Sequence, residues 1–231
     1  MIPGSIQPVI LHSFNIELAE KYSPYVELAL SAVKSWYRRE LGRPLKPFLP
    51  TIILSADSLV YPNDPLEALS RAVMYQEWPM FNVGFVPYIY IGFCVGAGGY
   101  AGSVHWDEQA GLCALGDACL TAISGDSSEC LSIIGGPDQR CSIDGQTGAI
   151  AHELMHGLGL GEHTDTKDLD LSSAEYQEFP RCHLPKVVKD HIRKKPWNIF
   201  LTPIDFREAW QLAKTTRQKL TVLAQKLELE D

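Results

Sequence analysis

Two histidines and the glutamate between them, His152, Glu153 and His156, are residues whose types and spacing could do chemistry. Residues i and i+4 lie one turn apart on the same face of a helix, so both imidazoles can reach one metal ion. Glu153 leaves the helix in an adjacent direction, where its carboxylate could accept a proton from a water molecule that the ion activates. The carboxyl group could then return this proton to a leaving amine. The spacing therefore predicts zinc-dependent hydrolysis of peptide bonds.

The residues around this pattern favour a metal ion over two surface histidines. The rest of the segment is strongly apolar, which predicts a buried helix; its apolar residues are Ile150, Ala151, Leu154, Met155 and Leu158. Two histidines and a glutamate in a buried helix require polar partners. One catalytic Zn²⁺ ion would supply them.

A catalytic zinc site needs a third protein ligand and an open position. Gly159 follows the second histidine by three residues and allows the chain to turn sharply back toward the ion. We predict His163 as the third ligand. The alternative ligands are Glu162, Asp165, Glu175 and Glu178.

The segment from His152 to His163 resembles the metzincins, a zinc peptidase family with the motif His-Glu-x-x-His-x-x-Gly-x-x-His. Four residues fall on this motif: His152, Glu153, His156 and Gly159. The family spacing places the third histidine at Glu162, and His163 follows one residue later. The resemblance implies a peptidase with His152, His156 and His163 as zinc ligands and Glu153 as general base.

Metzincins also have a tight turn with a methionine beneath the zinc, often of the form Ser-x-Met-x-Tyr. Residues 172–176 have this outline, with Ala174 at the methionine position, and no methionine follows Met155. The resemblance implies that Tyr176 is a second catalytic residue, which stabilises the oxyanion. It also implies that an edge strand, formed by residues 98–104 or 111–115, binds the substrate backbone by strand addition.

The elements that must position these residues follow from apolar periodicity and from helix caps. We expect Ser23 and Pro24 to begin a helix that ends before Gly42, and Asp144 or Thr147 to cap the zinc helix over 148–156. A final helix is expected from residue 202. The other predicted elements are strands over 8–14, 51–54, 83–93 and 111–121, a helix over 65–76 and a turn-rich stretch over 124–144.

These elements predict an α+β fold with an α/β-like upper part. In metzincin terms, we expect a mixed twisted sheet with two long helices, the zinc helix, and a small irregular lower subdomain with a C-terminal helix. Residues 1–231 would form a single catalytic domain. Its upper subdomain, 1–161, would end in the zinc helix, and 162–231 would form the lower subdomain.

The composition restricts the partners of this chain. A net charge of −8 argues against nucleic acid. No apolar stretch reaches the roughly 18 residues that a membrane-spanning helix needs. The predicted partner is a protein or peptide substrate, and the sequence predicts no particular oligomeric state.

The six cysteines bear on the cellular compartment. None forms a Cys-x-x-Cys pair, which argues against a thiolate zinc site. A cluster in loop-rich sequence favours disulfides and an oxidising compartment. We predict Cys113–Cys119 and Cys130–Cys141 pairs, because each closes a short local loop, and a secreted or extracytoplasmic location. Residues 1–14 lack the pattern of a signal peptide, so an intracellular protein with reduced cysteines is the alternative.

Two other hypotheses for the function stay open. A gluzincin-like peptidase would use Glu175 or Glu178 as the third zinc ligand. A non-catalytic zinc-containing binding protein would hold the ion without turnover. Retention of Glu153 argues against the latter, because a structural site needs no base and closes its fourth position.

Overall fold

The computed structural model describes residues 6–42, 45, 48–56, 61, 63–76, 88–106, 110–135, 139–158, 171–172 and 174–193. The strands are β1 (Ile6–His12), β2 (Ile52–Ser55), β3 (Tyr88–Cys94), β4 (Ala101–Trp106) and β5 (Ala110–Leu115). The α-helices are α1 (Ile16–Leu41), α2 (Pro65–Gln76), α3 (Asp117–Ile123), α4 (Ser127–Ile134), α5 (Ile143–Gly157) and α6 (Lys186–Arg193). A 3-10 helix spans Ala174–Glu178.

The five strands form one mixed sheet in the order β2-β1-β3-β5-β4. β1 runs parallel to β2 and β3, β3 runs parallel to β5, and β4 runs antiparallel to β5. Parallel neighbours need a crossover connection, and α1 and α2 lie in the two connections that lead from β1 to β2 and from β2 to β3. The structure thus confirms a mixed α/β architecture with a mostly parallel sheet, which is compatible with the predicted α+β fold.

Both faces of the sheet are covered by helices. Successive strand residues point to opposite faces, so Ile10 joins the core that contains α1 and α5, whereas Val9 and Leu11 join the core that contains α2. The helix with the histidine pair, α5, packs on β4 and β5. The sheet therefore supports the candidate site at its β5–β4 side.

The long helix α1 begins earlier than predicted. Its N-cap is Asn15, whose side chain accepts a hydrogen bond of 2.9 Å from Leu18 N, and Pro24 lies inside the helix. The prediction that Ser23 caps the helix is wrong. An internal proline costs about 3 kcal/mol, but buried residues on both sides of it, Tyr22 and Val26, anchor the helix to the same core. Gly42 ends α1 in the left-handed conformation with φ of 73°.

The region after β3 contains more helix than the sequence predicted. The strand predicted over 111–121 ends at Leu115, and α3 follows after Gly116. The stretch predicted as turns over 124–144 contains α4 and the start of α5, and α6 was not predicted. The final helix predicted from residue 202 and the first residues of the strand predicted over 83–93 lie outside the described residues.

One of the two predicted disulfides is present. Cys130 and Cys141 are bonded, with their Cα atoms 5.6 Å apart, and the bond ties α4 to the segment that precedes α5. The Cys113–Cys119 prediction is wrong, because both thiols are free and buried. Cys113 belongs to a regular strand and directs its thiol to α5, so the local loop that this pair was expected to close does not exist.

Within the described residues, no helix combines the length and apolar character needed to cross a membrane.

Candidate metal centre

The helix α5 carries the residues that the sequence singled out. Its N-cap is Ser142, whose Oγ accepts a hydrogen bond of 2.9 Å from Gly145 N. The prediction of Asp144 or Thr147 as the cap is wrong: Asp144 lies in the first turn, and Thr147 Oγ1 donates to the carbonyl O of Ile143 over 2.7 Å. The earlier cap adds a full turn before the histidines, which therefore lie in the second half of a 15-residue helix.

The two histidines of the motif face each other. Their Nε2 atoms are 3.1 Å apart, and the ring planes are nearly perpendicular at 84°. Two nitrogens that bind one tetrahedral Zn²⁺ at about 2.0–2.1 Å are separated by about 3.3 Å. The observed pair therefore fits a shared zinc ion. A hydrogen bond between the two rings fits the same distance, so a bound ion would replace one proton.

A backbone carbonyl fixes the protonation of His152. Its Nδ1 lies 2.6 Å from the carbonyl O of Leu171, and the side chain is buried at 5% exposure. Because a carbonyl oxygen only accepts hydrogen bonds, Nδ1 carries a proton, and in the neutral imidazole Nε2 then keeps its lone pair. Metal-binding histidines in proteins have this arrangement, in which the second ring nitrogen donates to a carbonyl or carboxylate. The tautomer of His152 is thus the one that a metal ligand requires.

Glu153 follows His152 in α5, and its side chain is buried. It retains only 8% exposure. Burial raises the pKa of the Cys113 thiol well above its ordinary value, and the negative charge of Glu153 raises it further. The carboxylate of Glu153 is therefore close enough to β5 to act electrostatically on Cys113. A buried carboxylate is the kind of group that can accept and return a proton.

The tyrosine predicted near the zinc lies next to His152. The rings of Tyr176 and His152 have centroids 5.1 Å apart and are tilted by 44°. The 3-10 helix that contains Tyr176 packs on α5 at Gly148, where an added Cβ would overlap the carbonyl O of Tyr176. Residues 171–178 therefore supply both the carbonyl that orients His152 and the tyrosine beside it.

The predicted third ligand is outside the part of the chain that the structure describes. His163, Glu162 and Asp165 lie outside the described residues, as does the side chain of Glu175. Glu178 forms an ion pair of 2.7 Å with Arg181. Among the described residues, no three His, Cys, Asp or Glu side chains form a group that could hold a metal ion, so Glu178 does not complete the histidine pair.

The strand order distinguishes the two segments that were predicted as a substrate-binding edge. Residues 111–115 belong to β5, which pairs with β3 on one side and β4 on the other. This segment is an interior strand and not an edge. Residues 98–104 overlap β4, which is the last strand in the sheet order and contacts α5.

Sequence reasoning missed four residues that hold α5 in place. Tyr37 OH donates to the carbonyl O of Ala151 over 2.9 Å, Cys113 Sγ donates to the carbonyl O of Glu153 over 3.1 Å, and Leu171 O accepts from His152. Gly148 is the fourth. The two glycines within the helix pattern, Gly148 and Gly157, were a usable signal, because glycine inside a helix often has a packing reason.

Comparisons of the chain with models of known protein families, with curated proteins and with solved structures found no match.

Proposed function

We propose that this protein is a zinc-dependent endopeptidase of metzincin type. The observation that carries the proposal is the pairing of His152 and His156, with Nε2 atoms 3.1 Å apart and the Nδ1 of His152 bound to the carbonyl O of Leu171. The distance suits one ion, and the tautomer leaves the correct nitrogen available. His163 is the proposed third ligand.

The chemistry follows from the residues that line this pair. A Zn²⁺ ion at this position would lower the pKa of a water molecule and polarise the substrate carbonyl. Glu153 would accept the proton of that water on its carboxylate and return it to the nitrogen of the leaving amine. Tyr176, beside His152, would donate a hydrogen bond from its hydroxyl to the developing oxyanion.

The arrangement of the sheet supports a peptide as substrate. Among the strands that the structure describes, β4 is an edge strand and contacts α5, and an extended peptide can add to such an edge through main-chain hydrogen bonds. The mixed sheet, with α1 and α5 packed on one face, is also compatible with a metzincin-like upper subdomain. The Cys130–Cys141 disulfide supports the proposed secreted or extracytoplasmic location.

The test combines metal content with peptide hydrolysis on matched variants. Glu153→Gln keeps the size of the side chain but removes the base, and Glu178→Gln makes the same change at the glutamate that pairs with Arg181. We expect wild type and both variants to bind one Zn²⁺ ion per chain. Wild type and Glu178→Gln would cleave a mixed peptide library, and chelators would stop the cleavage. Glu153→Gln would lose at least about 100-fold in kcat/KM.

Each other outcome points to a different function. Wild type that binds zinc but cleaves no peptide would favour a non-catalytic zinc-containing binding protein. Loss of zinc in a Glu175→Gln variant would favour the gluzincin-like ligand set. A wild-type protein that binds no zinc would overturn the proposal.

A further inference from the structure

The thiol of Cys113 contacts the last turn of the helix that carries the histidine pair. Cys113 is fully buried in β5, and its Sγ donates a hydrogen bond of 3.1 Å to the carbonyl O of Glu153. The backbone N–H of Gly157 donates to the same sulfur. An α-helix pairs the carbonyl of residue i with the N–H of residue i+4. The sulfur therefore bridges the two backbone groups that this ladder pairs at 153 and 157.

Two glycines allow the strand and the helix to approach this closely. A Cβ on Gly157 would lie 2.6 Å from Cys113 Sγ, and a Cβ on Gly111 would overlap the carbonyl O of Gly157. Either methyl group would push the last turn of α5 away from β5. The position of this turn is thus set by direct contact with Gly111 and Cys113.

The bridged turn contains one of the candidate zinc ligands. His156 lies between Glu153 and Gly157 in the chain, and its Nε2 faces the Nε2 of His152. On the basis of the proposed function, we propose that Cys113 is a positioning residue of the zinc centre. Its thiol holds the last turn of α5 on β5 and so keeps His156 at the distance from His152 that one ion requires.

The protonation state of Cys113 suits this role. Burial and the nearby charge of Glu153 raise its pKa well above the ordinary value, so the sulfur keeps its proton. A neutral thiol can donate to Glu153 O and accept from Gly157 N at the same time, whereas a thiolate could only accept.

The test removes this sulfur and compares it with a matched sulfur elsewhere. Cys113→Ala deletes the bridge, and Cys113→Ser keeps a group that can both donate and accept. Cys119→Ala is the control, because Cys119 is buried at 2% exposure in the same core, and within the described residues its thiol bonds to no group of α5. The first readout is Co²⁺ affinity, measured by competition with a chelator, together with the visible spectrum of the bound ion.

We expect Cys113→Ala to bind Co²⁺ about 10-fold more weakly than wild type, in line with the loss of other outer-shell partners. Its Co²⁺ spectrum should change, and Cys113→Ser should restore most of the affinity. Cys119→Ala should bind as wild type does, even though it also loses a buried sulfur. Wild-type affinity in Cys113→Ala, or equal losses in both alanine variants, would overturn the inference.

A second readout requires no metal and separates this inference from the proposed function. In the metal-free protein, Cys113→Ala should shift the imidazole ¹⁵N resonances of His156 and speed hydrogen exchange at the Gly157 amide. Cys119→Ala should do neither. If wild type binds no Co²⁺, the proposed function fails, and so does the role of Cys113 in a zinc centre. If the His156 resonances and the Gly157 exchange rate still change in Cys113→Ala, Cys113 holds the histidine pair in place without a metal. If neither changes, Cys113 does not have that role either.

Discussion

Replacing Gly148 by alanine sets helix propensity against packing at the candidate site. In an exposed helix this change stabilises by about 1 kcal/mol. In α5 the added methyl group would overlap the carbonyl O of Tyr176 and lie 2.9 Å from the Cβ of Phe179. Neither atom can rotate away, because one belongs to the backbone and the other is bonded directly to it. The 3-10 helix must therefore move away from α5.

The expected size of the effect follows from these two opposing contributions. An extra methyl group in a well-packed interior costs about 1–3 kcal/mol, and helix propensity offsets about 1 kcal/mol of it. We expect the free energy of unfolding of Gly148→Ala to fall by up to about 2 kcal/mol. The movement would also displace the Tyr176 ring, now 5.1 Å from that of His152, and a misplacement of about 1 Å costs up to about 100-fold in rate.

Urea unfolding at 25 °C and kcat/KM for the proposed peptide hydrolysis measure the two effects. Gly125→Ala is the control, because its φ of 89° makes alanine strained but an added Cβ meets no atom within 4 Å. This control should lose stability and keep wild-type kcat/KM. If Gly148→Ala is more stable than wild type, or keeps full activity, the 3-10 helix is not seated on Gly148 and the packing argument fails.

Two further predictions concern the parts of the fold around the site. Glu40 accepts hydrogen bonds from Lys189 Nζ at 2.9 Å and from Leu184 N at 3.1 Å. Burial raises the pKa of Glu40, but these hydrogen bonds and the charge of Lys189 outweigh burial, so its pKa is lowered overall. Glu40→Gln should therefore cost about 2 kcal/mol at pH 7. Its difference from wild type in urea unfolding should shrink as the pH falls below about 4, and a difference independent of pH would contradict this. The Cys130–Cys141 bond spans 11 residues, so the double serine variant should lose about 3 kcal/mol. Dithiothreitol should lower the stability of wild type but not of that variant. Equal stability of wild type and the variant without dithiothreitol would contradict the prediction.

Local patterns predicted the elements whose signals lie within a few residues. The helix Pro65–Gln76 has the predicted bounds, and the apolar stripe of α1 and the apolar core of α5 were also predicted. The missed helix α4 had a local signal: Asp126 is followed three residues later by Glu129, and Asp126 caps the helix through Glu129 N at 3.0 Å. Gly135 then ends it in the left-handed conformation. This helix was predictable from its caps.

Other features depend on contacts between distant parts of the chain. α3 begins at Asp117, whose carboxylate accepts hydrogen bonds of 2.8 Å each from Gly96 N and Gly98 N. A strand that continued beyond Leu115 would lose these bonds, but nothing near Asp117 in the sequence reveals them. The free thiol of Cys113 has the same origin, because its partner is the carbonyl of a helix residue 40 positions later.

The candidate site combines both kinds of information. The spacing of His152 and His156 predicts that two imidazoles share a helix face, but it does not determine which nitrogen of each ring is available. That choice is made at His152 by the carbonyl O of Leu171, which every amino acid at position 171 would present. Substitution of the Leu171 side chain therefore leaves the acceptor in place. Changes that move this backbone relative to α5 would test its contribution to the histidine pair.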